Sequence, residues 1–315
     1  MAVPKDSLTF ITGATRHIGS TIPDAILRAS YRVRAPIRNT QKGDLLTETL
    51  TKRHGPDVFN AMQVCVGVVH VASDMTFSRD PKKVIAPTLL MTTNVLGAAA
   101  HTHSVQRSVF TSSAPVSRPR HGNRGQDRGS SWLSTADELI AYSGAMYITS
   151  KICTEKACWD FVRDRKSSFV LDSVVLGSSI GSSLDPRLVC STNKLGLGVL
   201  NNQPSCVGLF KMLTPWIFVS LEDNTLRHLA ALTDDDVRNE RLLALGEATD
   251  YNRSVDVLGQ LCPGRERPRK MDEPGKAVVE VDTRHEVELL KRFGEDGVSG
   301  YDDSAKACLE SLQSS

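Results

Sequence analysis

The sequence predicts an α/β fold, a doubly wound parallel sheet with helices on both faces. Three observations carry this. Short β-branched or apolar runs alternate with longer helical segments along most of the 315 residues, the pattern of strands joined by crossover helices. Val64 to Val71 is almost continuously apolar, as a strand buried on both faces requires. The first strand also runs through a glycine turn directly into a helix, at Thr12-Gly-Ala-Thr-Arg-His-Ile-Gly19.

Ser7 to Thr12 reads as the first strand and Ile18 to Ala29 as a helix, with Pro23 in its first turns, where a missing N–H is tolerated. Tyr31 to Ile37 alternates as a second strand, and Thr40 to His54 is helical until Gly55-Pro56 stops it. After the Val64–Val71 strand, Pro81 to His103 is mostly helix and Ser108 to Thr111 strand. Residues 117–131 have no apolar periodicity and read as a basic loop, either a solvated excursion or a lid over a polar ligand. Helix returns from about Ser143 to Arg165, followed by a strand from Ser168 to Leu176. Residues 177–208, rich in Gly, Ser and Asn, read as loop with short elements. Strands at Trp216–Val219 and Arg241–Leu245 flank a helix at Glu222–Leu232, and helices fit 252–262, 284–293 and 302–313. Thr283-x-x-Glu286 is a capping-box pattern, and Gly294 stops that helix.

Composition excludes several classes. Apolar residues make up 40% and charged residues 23%, as in soluble globular domains. Lys+Arg 38 against Asp+Glu 36 leaves a net charge of +2, which argues against nucleic-acid binding by bulk charge. The longest nearly apolar run, Val64–Val71, is too short to cross a bilayer, and the first residues meet charges before any long apolar stretch. The seven cysteines are scattered without a Cys-x-x-Cys, which fits reduced thiols in a cytoplasmic protein. His101 and His103, two apart on a helix, point to different faces, so no metal set is expected.

The glycine turn is suited to a dinucleotide. Gly13 permits the tight turn, Gly19 lets the helix pack closely, and the helix N-terminus offers free N–H groups to a pyrophosphate. The second strand ends at Ile37-Arg38, with Lys42 four residues on. Cations there, in place of a carboxylate, pair with the 2′-phosphate of NADP and favour NADPH over NAD; alternatively they decorate a helix start. Tyr147 and Lys151 lie four apart on one helix face. A lysine charge there lowers the phenol's pKa, and the tyrosine can exchange a proton with a carbonyl or alcohol oxygen; the bland alternative is an exposed helical pair. Ser113 ends a preceding strand, where its hydroxyl can donate to a substrate oxygen at the sheet's ligand-binding edge.

Together, Thr12-Gly-…-Ile-Gly19, Val69-His-Val-Ala-Ser73, Val109-Phe-Thr-Ser-Ser113 and Tyr147-x-x-x-Lys151 resemble the extended short-chain dehydrogenase/reductases. Tyr31 to Arg38, Asn94 to Ala100, Leu184-Asp-Pro186, Phe218 to Asp223 and Asn239-Glu-Arg241 resemble the dihydroflavonol-reductase-like branch, with its fungal aldehyde and ketone reductases, within the NAD-dependent epimerase/dehydratase superfamily. The resemblance implies a Rossmann-type dinucleotide-binding domain over 1–180 plus about 210–245, and a smaller C-terminal substrate domain over about 181–209 and 246–315. It implies Ser113, Tyr147 and Lys151 as catalytic residues, with Tyr147 and Lys151 also touching the cofactor. It places Gly13, Thr15, Ile18, Gly19, Ala72 and Ser73 along that cofactor, with Arg38 and Lys42 at its 2′-phosphate.

The chain departs from the family pattern at four places. Arg16 stands where a middle glycine belongs, His17 replaces the usual aromatic, and Leu176 stands near a usual proline. Near residues 57–67 one βα unit is missing, a unit that helps cover the adenine. The expected function is NADPH-dependent reduction of an aldehyde or ketone, including secondary-metabolite or polyketide-like carbonyls. Alternatives are a nucleotide-sugar epimerase or dehydratase, or a catalytically impaired cofactor-binding relative. The expected partner is a small-molecule carbonyl, with no nucleic acid, membrane or metal; the oligomeric state is open. The pocket should draw on residues 114–145 and 178–215, where Leu195, Leu197, Leu200, Leu209, Phe210 and Met212 either line it or, more simply, form core.

Overall fold

The computed structural model describes residues 3–55, 65–76, 78, 80–114, 145–165, 167–188, 191–273 and 284–313. The basic segment 117–131 lies outside the described residues. Six parallel strands form the main sheet in the order β2-β1-β3-β4-β5-β8. They are β1 (Leu8–Thr12), β2 (Arg32–Arg34), β3 (Cys65–His70), β4 (Arg107–Ser113), β5 (Val170–Leu176) and β8 (Arg241–Ala244). β4 is longer than expected and all seven of its residues are buried, Ser112 and Ser113 included. Hydroxyl side chains hide a buried strand from a reading based on apolar residues.

The helices divide by face. α1 (His17–Arg28), α2 (Thr40–His54), α7 (Leu221–Thr233) and α9 (Arg284–Lys291) pack on one core with Ile11, Val69, Val109 and Val174. α3 (Pro81–His101) and α4 (Ala145–Arg165) pack on the other with Val68, Phe110 and Leu171. The strands alternate Val68/Val69 and Val109/Phe110 between the two cores, as pleated strands do. α1 starts at His17, so Pro23 lies in its second turn, within the first turns expected. α3 is long and apolar enough to cross a membrane by length and composition. Val84, Thr88, Thr92, Leu96 and Ala99 are nonetheless buried, and Leu96 and Ala99 belong to this core.

The sheet order bears on the missing unit. β1–α1–β2 steps one way along the sheet and β2–α2–β3 steps back past β1, yet α1 and α2 lie on the same face. These two crossovers therefore have opposite hands. β3–α3–β4 steps in the same direction as β2–α2–β3 but with its helix on the other face, so it shares the hand of β1–α1–β2. Crossovers are right-handed in about 98% of cases, which leaves β2–α2–β3 as the left-handed one. A strand beyond β2 and a helix on the opposite face would restore the usual hand. Their loss also makes the short Arg32–Arg34 strand the sheet edge among the described residues, where charged side chains discourage further pairing.

A second sheet, β6-β7-β9, comprises β6 (Ser178–Ile180), β7 (Trp216–Ser220) and β9 (Ala248–Thr249), with β9 antiparallel. β7 thus pairs outside the main sheet, although its sequence lies within the span expected for the larger domain. Residues 177–208, expected as loop with short elements, contain α5 (Ser191–Leu200) and the start of α6 (Pro204–Leu213). Gly196 and Gly198 lower helix propensity there, and packing on α8 (Tyr251–Leu261) overrides it. Phe210 and Leu200 are buried, Leu195 is partly buried against this core, and Leu209 is exposed. α10 (Tyr301–Gln313) closes this part against β6 and β7.

Candidate active site

The turn from β1 into α1 is tightly built. Gly13 has φ of +74°, and a Cβ there would lie 2.9 Å from the Ala72 backbone N. A Cβ on Gly19 would lie 2.1 Å from the Gly13 carbonyl oxygen. Both glycines are therefore required by space, and Gly13 also by conformation. The N-cap of α1 is Arg16, with no side-chain cap and no acid in the first turn. Among the described residues, then, no capping side chain or first-turn acid competes for this helix N-terminus, as an anion site needs. Arg16 is exposed, Thr15 and Ile18 are half-buried, and Arg16 has no ion partner among the described residues. His17 is buried, and its Nε2 donates to the Ser179 carbonyl at 3.1 Å, tying α1 to the smaller sheet. Burial holds its pKa below the usual histidine value.

A buried chain of hydroxyls and imidazole fixes the facing strand ends. Thr92 Oγ1 donates to the Thr88 carbonyl at 2.9 Å, so it accepts from His70 Nε2 at 3.1 Å. His70 Nδ1 therefore accepts from Thr12 Oγ1 at 2.7 Å, and Thr12 Oγ1 in turn accepts from the Ala72 N–H at 3.2 Å. Burial, helped by the Lys151 charge, pushes the His70 pKa down to about 3, so the ring stays neutral. Beside Ala72, the Ser73 hydroxyl is buried without a hydrogen-bond partner among the described residues. An orphaned hydroxyl opposite an open helix N-terminus fits a dinucleotide's phosphate–ribose portion. β2 stops at Arg34 rather than Ile37; beyond it, Arg38 is exposed and Lys42, in α2, half-buried, and neither side chain has an ion partner among the described residues.

The catalytic candidates converge at the C-terminal end of β4. Ser113 is its last residue, and its hydroxyl hydrogen-bonds Tyr147 in the first turn of α4. One turn on, Lys151 is only 3% exposed; its Nζ donates to the Thr111 carbonyl at 2.8 Å and lies 5.2 Å from the Phe110 ring centroid. The pair is therefore not an ordinary exposed one. The expectation that Lys151 lowers the phenol's pKa needs correction. Burial raises the Tyr147 pKa above 10, against a smaller lowering by the Ser113 hydrogen bond. Lys151 is turned toward the strand carbonyl, and its own pKa falls to about 8 through burial, partly opposed by the Glu155 charge.

Several buried partners of this site escaped the sequence reading. His228 on α7 donates from Nδ1 to the Asn224 carbonyl at 2.8 Å and accepts from Thr111 Oγ1 at 2.8 Å, the ring held neutral by burial. Glu155, one turn beyond Lys151, accepts from Ser112 Oγ at 2.5 Å, Ser173 Oγ at 2.8 Å and Arg241 Nε at 2.7 Å. The spacing Tyr147, Lys151, Glu155 was a usable signal, since three polar residues four apart share one helix face. Among the described residues no His, Cys, Asp and Glu cluster could hold a metal, and the six described cysteines are free.

With this geometry in place, the comparisons are specific. A profile described as the NAD dependent epimerase/dehydratase family matches residues 9–181. An NAD-dependent epimerase/dehydratase of Aspergillus terreus is 34% identical over 341 residues, covering 98% of this chain and 98% of its own. That aligned length exceeds the chain's own 315 residues, as gaps in a chain missing a segment produce. Aldehyde reductase 2 of Sporidiobolus salmonicolor is 27% identical over 331 residues, covering 96% of this chain and 95% of its own. In fold, yeast methylglyoxal/isovaleraldehyde reductase Gre2, solved with NADPH, matches with a TM-score of 0.78 at 18% identity, over 97% of this chain and 98% of that one.

Proposed function

The chain belongs to the NAD dependent epimerase/dehydratase family, as an NAD(P)-dependent oxidoreductase of the extended short-chain dehydrogenase/reductase type, and from that membership we propose that it reduces an aldehyde or ketone to an alcohol with NADPH. The observation that carries the reading is the Ser113–Tyr147 hydrogen bond at the ligand-binding edge of the sheet, with Lys151 buried one turn away. When bound, the reduced nicotinamide supplies the hydride. Ser113 donates a hydrogen bond to the carbonyl oxygen, where negative charge develops. Tyr147, protonated across the working range because its pKa is raised, gives the oxygen its proton. Lys151 places a positive charge beside them below pH about 8 and would hold the nicotinamide ribose when the cofactor is bound.

Gly13, Thr15, Ile18 and Gly19 would hold the pyrophosphate at the α1 N-terminus, with Ala72 and Ser73 opposite. Arg38 and Lys42, two cations without ion partners among the described residues, support preference for the 2′-phosphate of NADPH. Free thiols favour the cytoplasm as the site of action, which microscopy of a tagged chain tests.

The decisive experiment is NADPH and NADH oxidation against a panel of aldehydes and ketones, run beside a fluorescence titration of each cofactor. Carbonyl-dependent oxidation, faster with NADPH, is expected. Absence of NADPH binding at millimolar concentration would sink the reading and leave an impaired relative, as Arg16 and the missing unit also suggest. The epimerase/dehydratase relative at 34% identity supports a second reading. Turnover of a nucleotide sugar without net cofactor consumption would select it.

A further inference from the structure

α4 presents Tyr147 and Lys151 one turn apart on one face. A helix that holds a phenol in place against a strand needs an anchor. Lys151 supplies one bond, to the Thr111 carbonyl. The next turn supplies a larger set. Glu155 is 0% exposed, and its carboxylate takes donors from three strands: Ser112 on β4, Ser173 on β5 and Arg241 on β8. Trp159 Nε1, on its own helix, adds a longer contact at 3.5 Å.

Apolar packing tolerates small slides and rotations of a helix, because it has no direction. Charge-assisted hydrogen bonds are short and directional, so three of them from neighbouring strands set both the height and the rotation of α4. Glu155 lies four and eight residues beyond Lys151 and Tyr147, about 6 Å and 12 Å along the axis on the same face. It also grips Ser112, the residue before Ser113, and so holds both partners of the Ser113–Tyr147 bond.

We propose that Glu155 is the positioning residue of this site: by tying α4 to β4, β5 and β8, it holds Tyr147 against Ser113 and Lys151 against the Thr111 carbonyl. The catalytic consequence rests on the reductase reading; the positioning itself does not. The groups facing Lys151 are Tyr147, Glu155 and Cys158 on α4, His70 on β3 and His228 on α7, with Arg241 on β8 behind Glu155. Burial keeps both histidines neutral and the Cys158 thiol protonated. Glu155 therefore supplies the negative charge of this set and supports the lysine's own.

Glu155→Gln keeps the shape and removes the charge. Two readouts separate positioning from plain stabilisation. NMR titration of isotope-labelled lysine, which needs no cofactor, should show the Lys151 pKa about one unit lower. In carbonyl reduction, kcat should fall about tenfold or more, the scale of an ångström-level misplacement, with KM largely unchanged and the alkaline limb displaced with the lysine. Removing one partner of a buried ion pair can unfold a chain, so Ser112→Ala with Ser173→Ala is the second variant. It keeps the Glu155–Arg241 pair and should lower kcat, leave the Lys151 pKa in place and quicken hydrogen exchange over residues 145–152. Unchanged kcat and unchanged Lys151 titration beside a lowered Tm would overturn the proposal. If the wild type reduces no carbonyl, the reductase reading fails by itself. Positioning is then decided by the Glu155→Gln lysine titration, or, should that variant not fold, by exchange in the serine variant, and no change there overturns it.

Discussion

At the residue scale, the roles proposed for Tyr147 and Lys151 follow from their opposite pKa directions. The phenol, raised above 10, remains a proton donor, while the ammonium, lowered to about 8, stays charged at neutral pH and loses its charge as pH rises through that value. Carbonyl reduction should therefore fall away on an alkaline limb near pH 8, which a pH profile of kcat/KM measures; a flat profile to pH 9.5 would contradict this. Tyr147→Phe removes the proton and little volume, so reduction should drop by about 100-fold or more, with the circular dichroism spectrum and Tm preserved. Retained activity would take Tyr147 out of the mechanism. Arg16 is the residue most at odds with the family pattern. It stands exposed at the N-cap where backbone should approach a pyrophosphate. Arg16→Gly is expected to tighten NADPH binding in a fluorescence titration, and weaker binding would mean that its guanidinium has become a phosphate ligand.

At the element scale, the site depends on strand ends held from both faces. His228 reaches Thr111 from α7, and Glu155 reaches Ser112 from α4. The neutral histidines make stability pH-dependent. His70 and His228 have folded pKa values of about 3 and about 4, below the 6.5 of an unfolded histidine. As pH falls below 6.5 the unfolded chain takes up protons that the folded chain refuses, so stability falls, by up to about 1.4 kcal/mol per pH unit for each histidine. Asp172, raised to about 6, opposes this below pH 6, since the folded chain then binds the extra proton. Urea unfolding of His228→Gln against wild type should show the variant losing less stability between pH 7.5 and 5.5, by roughly 1 kcal/mol; parallel losses would count against a neutral buried ring. Most of these elements were legible from period and punctuation, α2 with its glycine stop and β3 with its apolar run among them. β4 was under-read because Ser112 and Ser113 are buried through partners distant in the chain. α5 and α6 were obscured because their helicity comes from packing on α8 rather than from propensity.

For the whole molecule, the missing βα unit has a consequence beyond length. Without a strand outside β2 and a return on the opposite face, α2 must lead back to β3 from the α1 face, and the crossover takes the rare hand. The adenine end of the proposed site would then have β2 as its border among the described residues, and phosphate contacts should dominate cofactor affinity. A ligand that binds only the folded state raises its stability, by about 2.7 kcal/mol at a hundredfold excess over Kd. NADPH should raise Tm more than NADH does, and Arg38→Ala should shrink that difference. Equal shifts in the wild type, or an undiminished difference in the variant, would refute the 2′-phosphate role of Arg38.

The sequence by itself determined the alternation of strand and helix and the Gly13–Gly19 turn, and through its resemblance to the family it proposed the Ser113, Tyr147, Lys151 set. The first rests on local periodicity and the second on the close approach and turn that glycine permits. The sequence also exposed the deficit after α2, because chain length limits how many elements fit. Only the tertiary structure decided that α2 shares a face with α1, that β7 leaves the main sheet, and that Lys151 bonds a strand carbonyl while burial raises the Tyr147 pKa. It alone revealed Glu155 as the junction of three strands. Such facts depend on which side chains meet across dozens of residues and on how much water they exclude, and neither is written in spacing along the chain.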